Sequence, residues 1–126
     1  MSSDETKTPA QRILVVDDEP GVCEAVKLML NYDGHAVEVA GSGREALAKY
    51  DPVKFDLVIT DFSMEGMKGD ELADAIKRIA PGRPVILLTA FPPAKKPVSI
   101  DLVVTKPFYF STLREALTAA LLLSEA

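Results

Sequence analysis

The sequence predicts an α/β fold with a doubly wound parallel sheet, and three observations lead to this prediction. Short apolar runs rich in β-branched residues recur along the chain, each bounded by turn residues. Helical patterns separate these runs. Three of the runs are apolar without a break, as in strands covered by helices on both faces. Strands that alternate with helices form a parallel sheet, and right-handed crossovers make it doubly wound.

The first strand is predicted at residues 13–16, an apolar run that ends at Asp17 and Asp18. Pro20 suits the first turn of a helix, because the N–H group that proline lacks is unbonded there anyway. Apolar residues then recur at helical spacing until Gly34, a natural helix C-cap. A strand and a helix are therefore expected, with two carboxylates at their junction.

A second strand is predicted at residues 36–40, and Ser42 is expected to cap the helix that follows it. Glu45 completes a capping box with Ser42, and Pro52 ends the helix. His35 is the only histidine of the chain; it precedes this strand, and we expect it at the surface.

The central strand, at residues 57–59, is an unbroken apolar run that leads to Asp61. A loop follows, after which Asp70 is expected to cap a helix that stops at Pro81 and Gly82. A carboxylate at the end of a buried strand is either a helix cap or part of a site. Its position off the carboxyl end of a parallel strand favours a site.

The last two strands are predicted at residues 85–89 and 102–104, and residues 91–99 between them are rich in helix breakers. The final helix is expected to carry a second capping box, formed by Thr112 and Glu115. The element order is therefore β-α-β-α-β-α-β-loop-β-α.

Composition limits the classes of function. The chain has 126 residues and a net charge of −5, which fits one globular domain at residues 12–126 after a flexible leader at residues 1–11. An acidic chain without a basic patch argues against nucleic acid or a membrane surface as a partner, and no apolar stretch is long enough to span a bilayer. The single Cys23 is expected in the core. With no signal-peptide pattern, a cytoplasmic location is expected.

Polar residues follow four of the predicted strands: Asp17 with Asp18, Asp61, Thr89 and Lys106. Taken singly, each has a structural explanation, such as a helix cap, a strand hydroxyl or a solvated lysine. Together they meet at one edge of a parallel sheet. Three carboxylates crowded there would raise each other's pKa unless positive charge intervenes, and Mg²⁺ prefers such oxygen ligands. A metal, a cation, a hydroxyl and a nucleophile are the parts that phosphoryl transfer needs.

A resemblance to a known family lies in four motifs: Val15-Val16-Asp17-Asp18-Glu19, Asp61, Leu88-Thr89-Ala90 and Lys106-Pro107-Phe108. In this order, and at nearly this spacing, they resemble the receiver domain of two-component response regulators, over roughly residues 12–123. The resemblance implies the flavodoxin-like strand order 2-1-3-4-5. It also implies a sensor histidine kinase or a phosphotransfer protein as one partner and a downstream protein target as another.

The resemblance further implies roles for individual residues. Asp61 would accept a phosphoryl group from a phosphohistidine, and the protein would catalyse only its own phosphorylation and dephosphorylation. Asp17, Asp18 and Asp61, with the main-chain carbonyl of Ser63, would hold Mg²⁺.

Two further residues would bind the phosphoryl oxygens: the hydroxyl of Thr89 and the ammonium of Lys106. The peptide bond between Lys106 and Pro107 would be cis, a form that is accessible before proline.

The chain departs from the family after its fourth strand. Only three residues separate Pro93 from Pro97, less than one helical turn, so the family's fourth helix is expected to be missing or reduced to a turn. Phe91 is bulky, and Val103 stands where the family has an aromatic ring. We expect residues 91–100 to pack weakly, to be mobile at rest and to become quieter once Asp61 is phosphorylated.

Two other functions remain open from the residues. One is a small phosphohydrolase with Asp61 as nucleophile, as in the haloacid dehalogenase group; that group has a second aspartate where this chain has Ser63. The other is a flavin-binding module on the same fold. Its phosphate loop would follow the first strand, where Asp17 and Asp18 would repel phosphate.

Overall fold

The computed structural model describes residues 9–125, so residues 1–8 of the predicted leader lie outside the described part. The five strands are β1 (Arg12–Val16), β2 (Ala36–Ala40), β3 (Leu57–Thr60), β4 (Val85–Thr89) and β5 (Leu102–Thr105). The helices of the described part are α1 (Pro20–Tyr32), α2 (Gly43–Lys49), α3 (Gly69–Ile79) and α4 (Phe110–Glu125).

All strand pairs are parallel, and the sheet order is β2-β1-β3-β4-β5. The predicted doubly wound fold and its strand order are confirmed. The register places Thr60 beside Val16 in one pair and Thr89 beside Thr105 in another. Because Thr60 lies beside Leu87, β4 and β5 extend two residues beyond β1 and β3, and the residues that follow all four strands emerge at one edge of the sheet.

Each face of the sheet has its own apolar core, because side chains alternate between the faces of a strand. Helices α1 and α4 cover the first face, whose core includes Ile13, Val15, Leu57, Ile59, Ile86, Leu88, Cys23, Val26, Leu113 and Leu117. Helices α2 and α3 cover the second face, whose core includes Leu14, Val16, Val58, Val85, Leu87, Ala46, Leu72 and Ile76. The expected core position of the cysteine is confirmed.

The start of α2 and the end of α1 agree with the sequence. Ser42 Oγ accepts a hydrogen bond from Glu45 N at 3.1 Å. Glu45 Oε1 in turn accepts one from Gly41 N at 2.9 Å. Gly34 follows α1 with a φ of 91°, a conformation that favours glycine.

The other two predicted caps are wrong. Helix α3 begins at Gly69, and Glu71 Oε1 accepts a hydrogen bond from Lys68 N at 2.8 Å. Asp70 therefore lies in the first turn, where its negative charge interacts favourably with the helix dipole but its side chain does not cap the helix. Helix α4 begins at Phe110 rather than at a Thr112 cap, so this threonine is inside its first turn.

The connection between β4 and β5 contains no helix in residues 90–101, all of which are described. This confirms that the family's fourth helix is missing here. The expectation of weak packing is only partly right. Phe91 and Val98 are highly exposed, but Ile100 is fully buried in the core of the second face. Ser99 Oγ also donates a hydrogen bond to Asp74 on α3.

His35 is buried, so its predicted surface position is wrong. Its side chain is 6% exposed, and Nδ1 accepts a hydrogen bond from Gln11 N at 3.0 Å. In the described residues, none of the helices has the length and apolar character needed to cross a bilayer.

Candidate functional site

Every residue predicted for the site lies at the carboxyl edge of the sheet: Asp17, Asp18, Asp61, Ser63, Thr89 and Lys106. Main-chain hydrogen bonds continue the strand ladder one residue beyond the strands and hold three of them. Asp17 N donates to Ala40 O at 3.1 Å, Asp61 N to Val16 O at 2.9 Å, and Lys106 N to Thr89 O at 2.8 Å. The site is therefore built on the rigid part of the fold.

Three carboxylates form the acidic part of the site. Asp17, Asp18 and Asp61 each offer an oxygen, and these oxygens lie within 4.8 Å of one another. Asp17 is 3% and Asp61 is 7% exposed, whereas Asp18 is exposed to solvent. Hard oxygen donors at the mouth of a cleft suit Mg²⁺, which keeps several waters and binds through a few carboxylates. The donor set fits this metal.

Lys106 bridges the two buried carboxylates. Its Nζ lies 2.8 Å from Asp17 Oδ2 and 3.8 Å from Asp61 Oδ2. The other oxygen of each carboxylate is held by the main chain, because Asp17 Oδ1 accepts from Glu19 N at 2.9 Å and Asp61 Oδ1 accepts from Phe62 N at 2.8 Å. Asp61 Oδ2 is thus the oxygen that faces the lysine.

Burial and charge act against each other in this cluster. Burial raises the pKa of Asp61 above its ordinary value, the positive charge of Lys106 opposes this rise, and the negative charge of Asp17 adds to it. Burial lowers the pKa of Lys106, but the hydrogen bond and charge of Asp17, with the charges of Asp61 and Glu19, raise it overall. The lysine therefore remains an ammonium beside the two carboxylates.

A cavity of about 170 Å³ opens at this edge and is lined by Asp18, Glu19, Asp61, Ser63, Thr89, Ala90, Phe91 and Lys106. This volume is below the roughly 300 Å³ at which typical sites for drug-sized ligands and cofactors start. Thr89 is buried, and its Oγ1 accepts a hydrogen bond from Phe91 N at 3.2 Å. The peptide bond between Lys106 and Pro107 is cis, as the resemblance implied.

Two contributors to the site were missed by sequence reasoning. Glu19 lines the cavity, and the sequence assigned it no role beyond its place in the first motif. Gly69 lies against the main chain of Asp61, where a side chain would not fit. The only sequence signal for this contact is a glycine eight residues after the aspartate.

The chain is similar to known proteins in sequence. The family model described as response regulator receiver domain matches residues 13–118. The transcriptional regulatory protein ZraR of Salmonella typhimurium is 36% identical over 115 residues, which cover 86% of this chain and 26% of that protein. The transcriptional regulatory protein GlrR of Escherichia coli is 44% identical over 78 residues, covering 62% of this chain and 18% of that protein. The chain thus spans about a quarter or less of the length of these two relatives.

Two solved structures of similar fold match this chain over almost the whole length of the solved chain. The response regulator TrrA of Thermotoga maritima, in complex with Mg²⁺-BeF, is 39% identical with a TM-score of 0.79, and the match covers 86% of this chain and 96% of that one. TrrA in complex with the histidine kinase ThkA is 38% identical with a TM-score of 0.78, covering 88% of this chain and 98% of that one. In family match, fold and strand-end residues alike, the chain belongs to the receiver domain family of two-component response regulators.

Proposed function

We propose that Asp61 accepts a phosphoryl group from the phosphohistidine of a sensor histidine kinase or a phosphotransfer protein, in a Mg²⁺-dependent reaction. The observation that carries this proposal is the position of Lys106. Its ammonium lies between the carboxylates of Asp17 and Asp61 at a cavity large enough for a phosphoryl group. The structure of TrrA with its histidine kinase supports this class of partner.

In the proposed step, Asp61 Oδ2 attacks the phosphorus atom. An oxygen–phosphorus bond forms as the phosphorus–nitrogen bond breaks, and the electron pair of the broken bond stays on the imidazole nitrogen. Lys106 would offset the charge on the phosphoryl oxygens, and the hydroxyl of Thr89 would donate a hydrogen bond to one of them. The Thr89 hydroxyl accepts a hydrogen bond from Phe91 N, and its own hydrogen bond to the Asp61 carboxylate opposes the rise that burial causes in the pKa of that group. Its proton would turn to a phosphoryl oxygen once Asp61 carries the phosphoryl group.

The carboxylates of Asp17, Asp18 and Asp61, with the main-chain carbonyl of Ser63, would hold Mg²⁺. When bound, the metal supplies positive charge that neutralises the carboxylates and the phosphoryl oxygens. The spacing of the three carboxylates and the TrrA complex with Mg²⁺-BeF support this assignment.

The reaction is proposed to serve signalling, with residues 12–126 as the receiver unit. The protein would catalyse its own phosphorylation and the hydrolysis of its acyl phosphate, and would turn over no metabolite. We place it in the cytoplasm, with a downstream protein target reached by contact or by onward phosphotransfer, and with neither nucleic acid nor a membrane as a direct partner of this chain.

The test is incubation with acetyl phosphate, with Mg²⁺ or with a chelator, followed by intact mass spectrometry. The wild type is expected to gain a single phosphoryl group only when Mg²⁺ is present. Asp61→Asn is expected to gain none, whereas Asp51→Asn, at the opposite end of the sheet, should behave as the wild type. Phosphorylation of the Asp61→Asn protein would contradict the proposal.

A further inference from the structure

The loop after β3 folds back onto the residue it leaves. A Cβ atom built on Gly69 would lie 2.2 Å from the carbonyl oxygen of Asp61 and 3.0 Å from Cα of Phe62. Real Cβ atoms essentially never approach other atoms to less than 3.0 Å. Among the described residues, the glycines with positive φ are Gly34 and Gly66, so it is space and not backbone conformation that requires glycine here.

The atom that Gly69 touches belongs to a peptide group with two functions. The carbonyl of Asp61 and the N–H of Phe62 lie in one plane, because the peptide bond is rigid. The carbonyl oxygen accepts a hydrogen bond from Thr60 Oγ1 at 2.9 Å, and the N–H of Phe62 donates to Asp61 Oδ1 at 2.8 Å. A push on the oxygen therefore tilts the N–H group that holds the carboxylate.

The surroundings leave this peptide group little room to move. Asp61 N is bonded to Val16 O in the sheet, and Gly69 N donates to Phe62 O at 3.0 Å. Thr60 is fully buried and Asp61 nearly so. A side chain at position 69 would have to move the main chain until the contact of 2.2 Å reaches at least 3.0 Å. This displacement would reach the carboxylate of Asp61 through the amide of Phe62.

We infer that Gly69 is a positioning residue for the phosphoacceptor. Its missing side chain keeps the Asp61–Phe62 peptide oriented so that Oδ1 of Asp61 stays bound to the main chain and Oδ2 faces Lys106. This inference rests on the proposed function for its effect on phosphorylation, but its structural part concerns the hydrogen bond of the Phe62 amide and can be measured separately.

The test compares three glycine variants. Gly69→Ala introduces the contact with Asp61. Gly43→Ala would meet the side chain of Met67 at 2.8 Å, so it disturbs the same loop from α2 without touching Asp61. The Cβ atom added by Gly82→Ala would have no other atom within 4 Å. This variant therefore controls for the general effect of a methyl group added in a loop. Phosphorylation rates with acetyl phosphate and Mg²⁺, urea unfolding and the amide resonance of Phe62 in a ¹H–¹⁵N spectrum are measured for each.

Gly69→Ala is expected to slow phosphorylation by roughly ten- to a hundredfold, the cost of misplacing a reacting group by about 1 Å. The Phe62 amide proton should move upfield as its hydrogen bond to the carboxylate weakens. Gly43→Ala is expected to unfold at lower urea while keeping the wild-type rate and Phe62 resonance. Gly82→Ala should match the wild type in all three measurements.

Two results would overturn the inference. One is a Gly69→Ala protein with the rate and the Phe62 resonance of Gly82→Ala. The other is a Gly69→Ala protein that does not fold even in sucrose, which favours compact states, because Gly69 would then be required for folding rather than for positioning. If the wild type itself takes up no phosphoryl group, the proposed function fails. The structural part of the inference is then tested by the Phe62 resonance alone, compared between Gly69→Ala and the wild type.

Discussion

Asp101 and Lys77 form an ion pair of 2.8 Å that ties the residue before β5 to helix α3. The same carboxylate oxygen accepts a hydrogen bond from Val85 N at 2.7 Å, and Asp101 N donates to Val85 O at 2.9 Å. Asp101 therefore holds the C-terminal end of the connection between β4 and β5, through an ion pair to α3 and hydrogen bonds to the start of β4.

Replacing Asp101 is expected to destabilise the fold more than replacing its lysine partner. Asp101→Ala leaves the buried N–H of Val85 without an acceptor, which costs about 1–3 kcal/mol. Lys77→Met removes a partly exposed ion pair and the hydrogen bond from Lys77 Nζ to Arg83 O at 2.8 Å, but it keeps the hydrogen bond of Val85 N. It is therefore expected to cost less than Asp101→Ala. Urea unfolding of the two variants measures the difference. Equal losses would mean that the contacts of Lys77, and not the hydrogen bond to Val85, hold this end.

We expect the mobility predicted between β4 and β5 to be limited to the exposed part of this connection. Residues 91–98 include the highly exposed Phe91 and Val98, whereas Ile100 is fully buried. Hydrogen exchange is therefore expected to be fast in residues 91–98 and slow at Ile100. Adding Mg²⁺ and beryllofluoride, a tetrahedral stand-in for the phosphoryl group, should slow exchange in residues 91–98, because Thr89 and Lys106 flank this connection. Identical exchange in both states would exclude an ordering switch.

Lys106 and the metal are expected to compete for the same carboxylate. Because its ammonium lies 2.8 Å from Asp17 Oδ2, Lys106→Met should raise the affinity for Mg²⁺ by about tenfold, equivalent to about 1.4 kcal/mol. The variant should nevertheless be phosphorylated more slowly, since the phosphoryl oxygens lose their cation. Calorimetric titration with Mg²⁺ measures the affinity. Lys95→Met, which removes the same charge from an exposed position, is the control, and equal affinities in the two variants would contradict competition.

The buried histidine predicts a loss of stability at mildly acidic pH. Burial lowers the pKa of His35 below its ordinary value of 6.5, and Asp33 opposes this shift only in part. The unfolded chain therefore binds the proton more readily than the folded one. The contribution of His35 is complete above pH 6.5 and is lost as the pH falls through the lowered pKa of the folded state.

Urea midpoints of the wild type and of His35→Gln, measured from about pH 7 to about pH 5, test this prediction. The wild type should lose more stability than the variant over this range. Parallel curves would assign the loss to other groups.

The strands and the site were predictable because both depend on local patterns. The unbroken apolar run at residues 57–59 is typical of a central strand covered on both faces. The polar residues that follow such strands meet at one edge because all the strands are parallel. The position of His35 was not predictable, because its hydrogen-bond partner Gln11 lies 24 residues earlier in the chain.

The helix starts were missed for a related reason. Asp70 and Thr112 are good capping residues by type, but the main chain enters each helix earlier, where Lys68 and Tyr109 stand. The contact between Gly69 and Asp61 arises only when the loop is folded, so no spacing rule could have given its distance.

Ile100 has a consequence for engineering this protein. The far end of the connection that begins at Thr89 is held by the buried Ile100 and the polar contacts of Asp101 rather than by a helix, and residues 91–98 contribute no buried side chain to either core. Lengthening a flexible loop is thermodynamically cheap, at about 0.6 kcal/mol for each doubling. A reporter peptide inserted at residues 94–95 would thus lie between two fixed points, one of which belongs to the proposed phosphorylation site, and is expected to report the state of Asp61 if the proposed ordering of this connection takes place.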